Sequence, residues 1–501
     1  MEIFLSAVFG ELATRSVSFF VNKYSKQQMQ AMEINLERVL LRAQVIVDEA
    51  EGRCITNQGM LRQVSMLRDA MYQGFYALDT LRYRAFEKDC SGDHEVANNS
   101  WALSKFSCAK RLCLSSSSST KTSQELQVEE ALDNLRTMIL DVSETVMFLT
   151  AYPRLHRQPY NMHLQMENCM FGRQMEMELV LNFLLHTPSC SSRLDRFDVL
   201  PIVGPGSCGK STLIAHVCND ERVRDHFSQI AFFCHGTARD EDIAILTDRY
   251  AHNRKLLIVF EVVGELSDDL WQRLCYLSTS CATSGSKIII TSRSNKITEL
   301  GTTQTMTLKD LPHEAFWYFF KVITFGSTDP RMHPRLAYLA MEISKTLKGS
   351  LVSANITARV LKADFSIQHW CKILKFTRGS VVEKHQSMVG AHPHDRLTET
   401  KPKPLYLRRL GQTSADLFIS SQYQTCSSQE ELPEITLQDV LYGGVKPRGS
   451  FKVLAWKSPL PPYRCYIFAC EIQQLQTRVV KRRRSLNNSG ITRVGVDASI
   501  A

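Results

Sequence analysis

The segment Gly204-Pro205-Gly206-Ser207-Cys208-Gly209-Lys210-Ser211 satisfies G-x-x-x-x-G-K-[S/T] throughout. The pattern constrains the fold because it requires a strand before it and a helix after it. Phe197 to Val203 is an apolar run of strand length, and a helical stretch opens at Lys210. Glycines at Gly204, Gly206 and Gly209 let the backbone N–H groups of Ser207 and Cys208 turn inward around phosphate oxygens. The helix adds the positive end of its dipole. Lys210 is then placed to reach the β- and γ-phosphates, and the Ser211 hydroxyl to ligate Mg²⁺.

Further short apolar runs support a parallel sheet: Ile230 to Cys234, Leu256 to Phe260 and Lys287 to Thr291. They alternate with helical stretches, the texture of an α/β layer fold. The Leu256 run ends on Glu261, an acid at the position from which a P-loop protein holds its metal. Val262 follows, where a hydrolytic site needs a second acid. Hydrolysis is therefore expected to be slow or absent, and Val262→Asp to raise it. The Lys287 run ends near Arg293, whose guanidinium fork matches γ-phosphate oxygens. Glu314 to Phe325 and Leu336 to Leu347 read as helices beyond the sheet.

Upstream, the apolar positions follow helical spacing. Met29, Met32, Leu36, Val39, Leu40, Ala43, Val47 and Ala50 form one stripe; Leu61, Val64, Leu67, Met71, Leu78, Leu81 and Ala85 form another. Val128, Leu132, Leu135, Ile139, Val142, Val146 and Leu149 alternate by four and three, the coiled-coil period. With an apolar opening helix near Phe4 to Val21, these make a four-helix bundle. Its surplus apolar surface predicts association with itself or with other proteins. The expected organisation is a helical bundle over 1–150, a proline-marked linker over 151–165, a P-loop nucleotide-binding domain over 166–330, a partial helical extension over 331–365, and a divergent, irregular region with a basic tail over 366–501.

The net charge is +9, from 60 basic and 51 acidic residues. Much of the excess is local: between Ile472 and Val496 lie Arg478, Lys481, Arg482, Arg483, Arg484 and Arg493, and no acid. A nucleic-acid binder would spread its charge over folded faces, so none is expected as a partner. The Arg478 to Ser485 cluster reads either as a nuclear localisation signal or as a solvated basic end. No apolar run reaches the ~18 residues of a membrane span, and no basic n-region precedes an N-terminal apolar stretch. The expected compartment is the cytoplasm, with the nucleus as the alternative. Fifteen cysteines without a C-x-x-C pair read as thiols rather than a zinc site.

In this order the motifs resemble plant coiled-coil nucleotide-binding (NB-ARC) disease resistance proteins with an Rx-type N-terminal domain. Phe171-Gly172-Arg173 is similar to the motif that opens NB-ARC, and Gly204 to Thr212 to its P-loop. Leu256 to Val263 stands at its strand with two aspartates. Gly285 to Arg293 resembles its Gly-Ser-Lys-aliphatic-Thr-Thr-Arg segment, and Leu311, Glu314, Ala315, Phe319 and Phe325-Gly326 the helix after it. Leu67-Arg68-Asp69-Ala70 and Leu78-Asp79 are similar to the third bundle helix. The resemblance spans about residues 5 to 360. It implies that Arg173 and Thr212 join the nucleotide contacts, that the ligand is ADP or ATP with Mg²⁺, and that the role is in plant defence. The departures are specific. Phe75 and Tyr76 replace acids of the third helix, Gly349-Ser350-Leu351-Val352 lacks the adenine-side proline, and no leucine-rich repeat is visible, so a truncated, divergent member is expected. Three readings follow: a nucleotide-dependent signalling switch, a working ATPase carried by Glu261, and a nucleotide-independent helical adaptor or decoy.

Overall fold

The computed structural model describes residues 2–83, 86, 123–154, 171–186, 198–234, 255–262, 271–272, 285–382, 405–408, 416–426, 432–442, 445, 449–459 and 464–474. The basic cluster after 474 and most of the linker lie outside the described residues.

The opening and second helical segments are one continuous helix, α1 (Glu2–Glu51). Residues 22–28 between the two expected helices contain neither Gly nor Pro, so nothing stops the backbone hydrogen bonding there. Helix α2 (Gln58–Tyr83) follows. It starts where Asn57 Oδ1 accepts from the Gly59 and Met60 amides at 2.8 and 3.2 Å, an N-terminal cap. Helices α3 (Ser123–Asp141) and α4 (Ser143–Leu149) complete the packed N-terminal helices. Leu36, Leu67 and Leu135 are fully buried between them. The helices approach closely at Gly74, where a Cβ would lie 2.7 Å from Leu135 Cδ1 and 2.8 Å from Leu40 Cδ2.

Helix α2 also packs on α8 (His313–Phe325). Phe75 and Tyr76, the residues that replace acids, make this contact. The Phe75 and Tyr318 ring centroids are 5.1 Å apart, and Tyr76 meets His313 edge-on at 5.1 Å. Tyr72 and Phe171 join the same aromatic group.

Helix α5 (Gln174–Leu185) leads into the sheet. Strands β1 (Asp198–Val203), β2 (Gln229–Cys234), β3 (Leu256–Glu261), β4 (Lys287–Ser292) and the short β5 (Met306–Thr307) form one parallel sheet in the order β2-β3-β4-β1-β5. Helices α6 (Lys210–Asn219) and α7 (Glu221–His226) follow β1. Leu257, Val259 and Ile289 face one apolar cluster with α5 and α6; Ile258, Phe260 and Ile290 face another. Burial on both faces explains why these strands read as unbroken apolar runs.

Beyond α8 come α9 (Pro334–Thr346), α10 (Leu351–Ala363) and α11 (Ile367–Val382). Trp370, fully buried, donates to the Leu361 and Asp364 carbonyls at 3.0 and 3.1 Å and seats α11 on α10. The stretch that the sequence reads as irregular holds an antiparallel sheet. Strands β6 (Leu405–Arg408), β7 (Asp416–Cys426), β8 (Ser450–Lys457) and β9 (Cys465–Gln474) are ordered β6-β7-β9-β8, with helix α12 (Leu437–Tyr442) before β8. A register shift between Leu454 and Trp456 puts Val453 and Trp456 on one buried face. That shift breaks the alternation by which a strand is recognised. Val453, Trp456, Tyr466 and Phe468 extend the apolar core of α8–α11.

Candidate functional site

The strand order places the C-terminal ends of β1, β3 and β4 along one edge. Val203 pairs with Ser292 and Glu261 with Thr291, so the P-loop, Glu261 and Arg293 leave the sheet at neighbouring points. In open parallel sheets this edge is where ligands bind.

The loop geometry depends on its glycines. A Cβ at Gly204 would lie 2.4 Å from the Leu308 carbonyl oxygen, so no other residue fits. Gly209, at φ 98°, caps α6 in the left-handed region, and Ser207 also has positive φ, at 54°. Left-handed turns of this kind are the backbone geometry by which a loop gathers amides around an anion. Lys210 crosses its mouth: Nζ donates to the Gly204 and Pro205 carbonyls, both at 2.7 Å. Burial lowers the Lys210 pKa. The neighbouring Cys208 opposes that shift, Arg293 adds to it and Glu261 opposes it. Lys210, Arg293 and Glu261 thus share one electrostatic environment. Gly206, Ser211 and Thr212 are half-buried around the start of α6, whereas Cys208 is buried beneath the loop.

Arg173 braces the loop from behind. It is 5 % exposed, donates to the carbonyls of Cys208 (3.0 Å) and Lys309, and pairs with Glu176 at 3.1 Å. From the other side the first residue of α10 approaches: Leu351 Cδ1 lies 3.9 Å from a Cβ built on Gly209. Ser350 caps that helix by accepting from the Ser353 amide at 3.2 Å, and Leu351 stands where the resemblance would have a proline.

Sequence reasoning missed Arg464. It lies just before β9, and its guanidinium pairs with the Glu261 carboxylate. No motif could have signalled a pair 203 residues apart. The residues present fit the phosphates of a nucleotide, since inward amides and an ammonium are the donor set such groups need. On the Glu261 side they do not fit a magnesium ion while Arg464 holds the carboxylate. Among the described residues no group of three or more His, Cys, Asp or Glu side chains is gathered to hold a metal. Nor is any helix among them long and apolar enough to cross a membrane.

Helices packed together, then a five-stranded parallel sheet with a phosphate-type loop and a helical extension, define a P-loop NTPase-like protein. By sequence the chain is distantly homologous to plant NB-LRR disease resistance proteins over part of its length. It is 26 % identical over 216 residues to disease resistance protein RGA2 of Solanum bulbocastanum, covering 38 % of this chain and 22 % of that protein. It is 24 % identical over 402 residues to the disease resistance RPP13-like protein 1 of Arabidopsis thaliana, covering 75 % of this chain and 37 % of that protein. The chain therefore spans well under half the length of these relatives. No protein-family model matches it. A chain from a solved structure of Drosophila ORC bound to DNA resembles it loosely, with TM-score 0.29 and 11 % identity, over 46 % of this chain and 73 % of that one.

Proposed function

We propose that the protein is an adenine-nucleotide-binding signalling switch in plant defence, taking ADP or ATP at the P-loop with slow or absent hydrolysis. The observation that carries this reading is the loop itself, with Gly204 packed too tightly for a side chain, Ser207 and Gly209 at positive φ, and Lys210 across its mouth. Slow turnover follows from Val262. It is 5 % exposed within an apolar cluster, so the residue that follows Glu261 offers no carboxylate to orient water.

The bundle is the output side of such a switch. It docks on α8 through Phe75, Tyr76 and Asp79, and its outer face exposes Ile34, Leu41 and Val45. A second copy or another defence protein is the proposed partner of that face, in the cytoplasm. The test is equilibrium binding of fluorescent ADP and ATP to wild type and Lys210→Ala. Loss of the ammonium should weaken binding by about a hundredfold or more, or ~3 kcal/mol, with thermal stability largely retained. Equal affinities would overturn the assignment. A steady-state hydrolysis assay separates the switch from a working ATPase.

A further inference from the structure

Glu261 is the acid from which a P-loop site of this kind would hold a metal, yet its carboxylate is already taken. The partner comes from the C-terminal sheet, far along the chain. The Arg464 and Glu261 side chains are 26 % and 15 % exposed, so the pair is largely shielded from water. Arg464 is also held by its backbone. Its carbonyl accepts from the Ser458 amide at 2.9 Å, which closes the β8–β9 hairpin beside it. The next residues are anchored: Cys465 is fully buried, and the Tyr466 ring lies 5.3 Å from that of Trp456. Helix α12 ties this sheet to the helix that approaches the P-loop: Gln438 Nε2 donates to the Arg359 carbonyl on α10 at 3.1 Å, and just before α12 the Ile435 carbonyl accepts from the Leu454 amide of β8 at 2.8 Å. Arg464 is thus delivered to the nucleotide edge by a seated element.

The charges at that edge give this placement a consequence. Glu261 ends β3 beside Thr291 of β4, two residues before Arg293; its carboxylate is paired with Arg464, and Lys210 feels the charges of both Glu261 and Arg293. Such a set suits a polyphosphate that brings its own negative charge. It is a poor site for a divalent cation, which needs the carboxylate that Arg464 holds. A charge-assisted guanidinium–carboxylate bond in a shielded position does not yield without a substitute.

We propose that Arg464 is a specificity-determining residue of the nucleotide site: by holding Glu261 it makes the chain take a metal-free nucleoside diphosphate in preference to a magnesium triphosphate. Binding of the magnesium triphosphate requires Arg464 to leave Glu261, which loosens the β8–β9 edge. The inference rests on the nucleotide-binding reading above and adds a selector to it.

The test uses the full chain and two readouts. In the first, fluorescent ADP and ATP are titrated with magnesium in excess or with EDTA. Wild type and Arg464→Lys should change affinity by less than about threefold on adding magnesium, whereas Arg464→Gln should bind ATP at least about tenfold tighter with the metal. Arg464→Gln combined with Glu261→Gln should lose that response. In the second, which needs no nucleotide, alkylation of the buried Cys465 thiol is followed by peptide mass spectrometry. Arg464→Gln and Glu261→Gln should each raise its rate several-fold. An equal magnesium response in wild type and Arg464→Gln overturns the selector while leaving the nucleotide reading intact. An unchanged Cys465 rate in both variants overturns it even if Arg464→Gln binds nucleotide poorly. Failure of wild type to bind either nucleotide overturns the nucleotide reading, and the selector with it.

Discussion

The Asp79 carboxylate accepts a hydrogen bond from the Trp317 indole Nε1 at 2.9 Å. The same oxygen lies 2.5 Å from Lys321 Nζ, and all three side chains are largely buried between α2 and α8. In this interface one acid holds two donors, and aromatic rings fill the surface around it.

Asp79→Ala should therefore undock the N-terminal helices from the extension. It leaves a buried ammonium and an indole N–H without their acceptor, a loss of about 3–5 kcal/mol for a shielded pair. Asp79→Asn should cost less, because the amide oxygen still accepts from Trp317. Thermal melts give the ranking, and faster proteolysis of α8 reports the undocking. An Asp79→Ala protein as stable as wild type would refute the contact.

Turnover of ATP should be slower than ~1 s⁻¹, since loss of a positioned base typically costs ~10² to 10⁴ in rate. The structure also revises what an acid at position 262 would do. Val262 packs with Val203, Ile290 and Ile297, and its amide is bound to the Thr291 carbonyl at 2.8 Å. Val262→Asp would bury a carboxylate among aliphatic side chains. We expect a stability loss of about 2–4 kcal/mol rather than a gain in hydrolysis. Calorimetry and a phosphate-release assay on the same preparation check both parts.

Glu178 on α5 sets a pH dependence. It is 2 % exposed, its Oε1 lacks a hydrogen-bond partner, and Arg222 approaches only to 3.8 Å. Burial pushes its pKa up to about 7 from 4.5; Arg222 opposes the shift and Asp220 adds to it. Between those values the folded chain keeps a proton that the unfolded chain has lost. Stability should accordingly fall as pH rises from about 4.5 through 7, by at most about 3 kcal/mol. Glu178→Gln should flatten this slope and be more stable than wild type at pH 8. Denaturant midpoints of both proteins across that range decide it.

Self-association should run through α1. Ile34, Leu41 and Val45 are 60, 63 and 61 % exposed and recur along one side of the helix. Leu41→Glu should weaken association of the full chain by about tenfold. Light scattering at tens of micromolar would show a strictly monomeric wild type if this face has no such role.

Much of the five-stranded parallel sheet was legible because its strands are buried on both faces. Apolar runs at 197–203, 256–260 and 287–291 need no alternation to be seen. The P-loop was legible because Gly204 and Gly209 have no substitutes. The helix break expected after Val21 was not there, since composition supplied no breaker. The C-terminal sheet stayed hidden for the opposite reason: the shift at Leu454/Trp456 scrambles the period, and Gly, Ser and Lys around it look like loop. Arg464 was beyond reach because its role comes from tertiary placement. Arg173 shows the same limit. Its motif was visible, but only packing reveals a guanidinium bound to the Cys208 and Lys309 carbonyls.

Leu36 on α1, Trp317 on α8 and Val453 on β8 all belong to a single apolar core, whereas the two faces of the parallel sheet belong to two others. Heat or denaturant acting on such a chain meets one large cooperative block assembled from both ends of the sequence, with the intervening sheet as a separate block. Calorimetry should then resolve the first and last thirds of the chain within the same transition. Removing the β8–β9 hairpin, or the part of α1 that carries Leu36, would each be felt in the other as a lowered melting temperature.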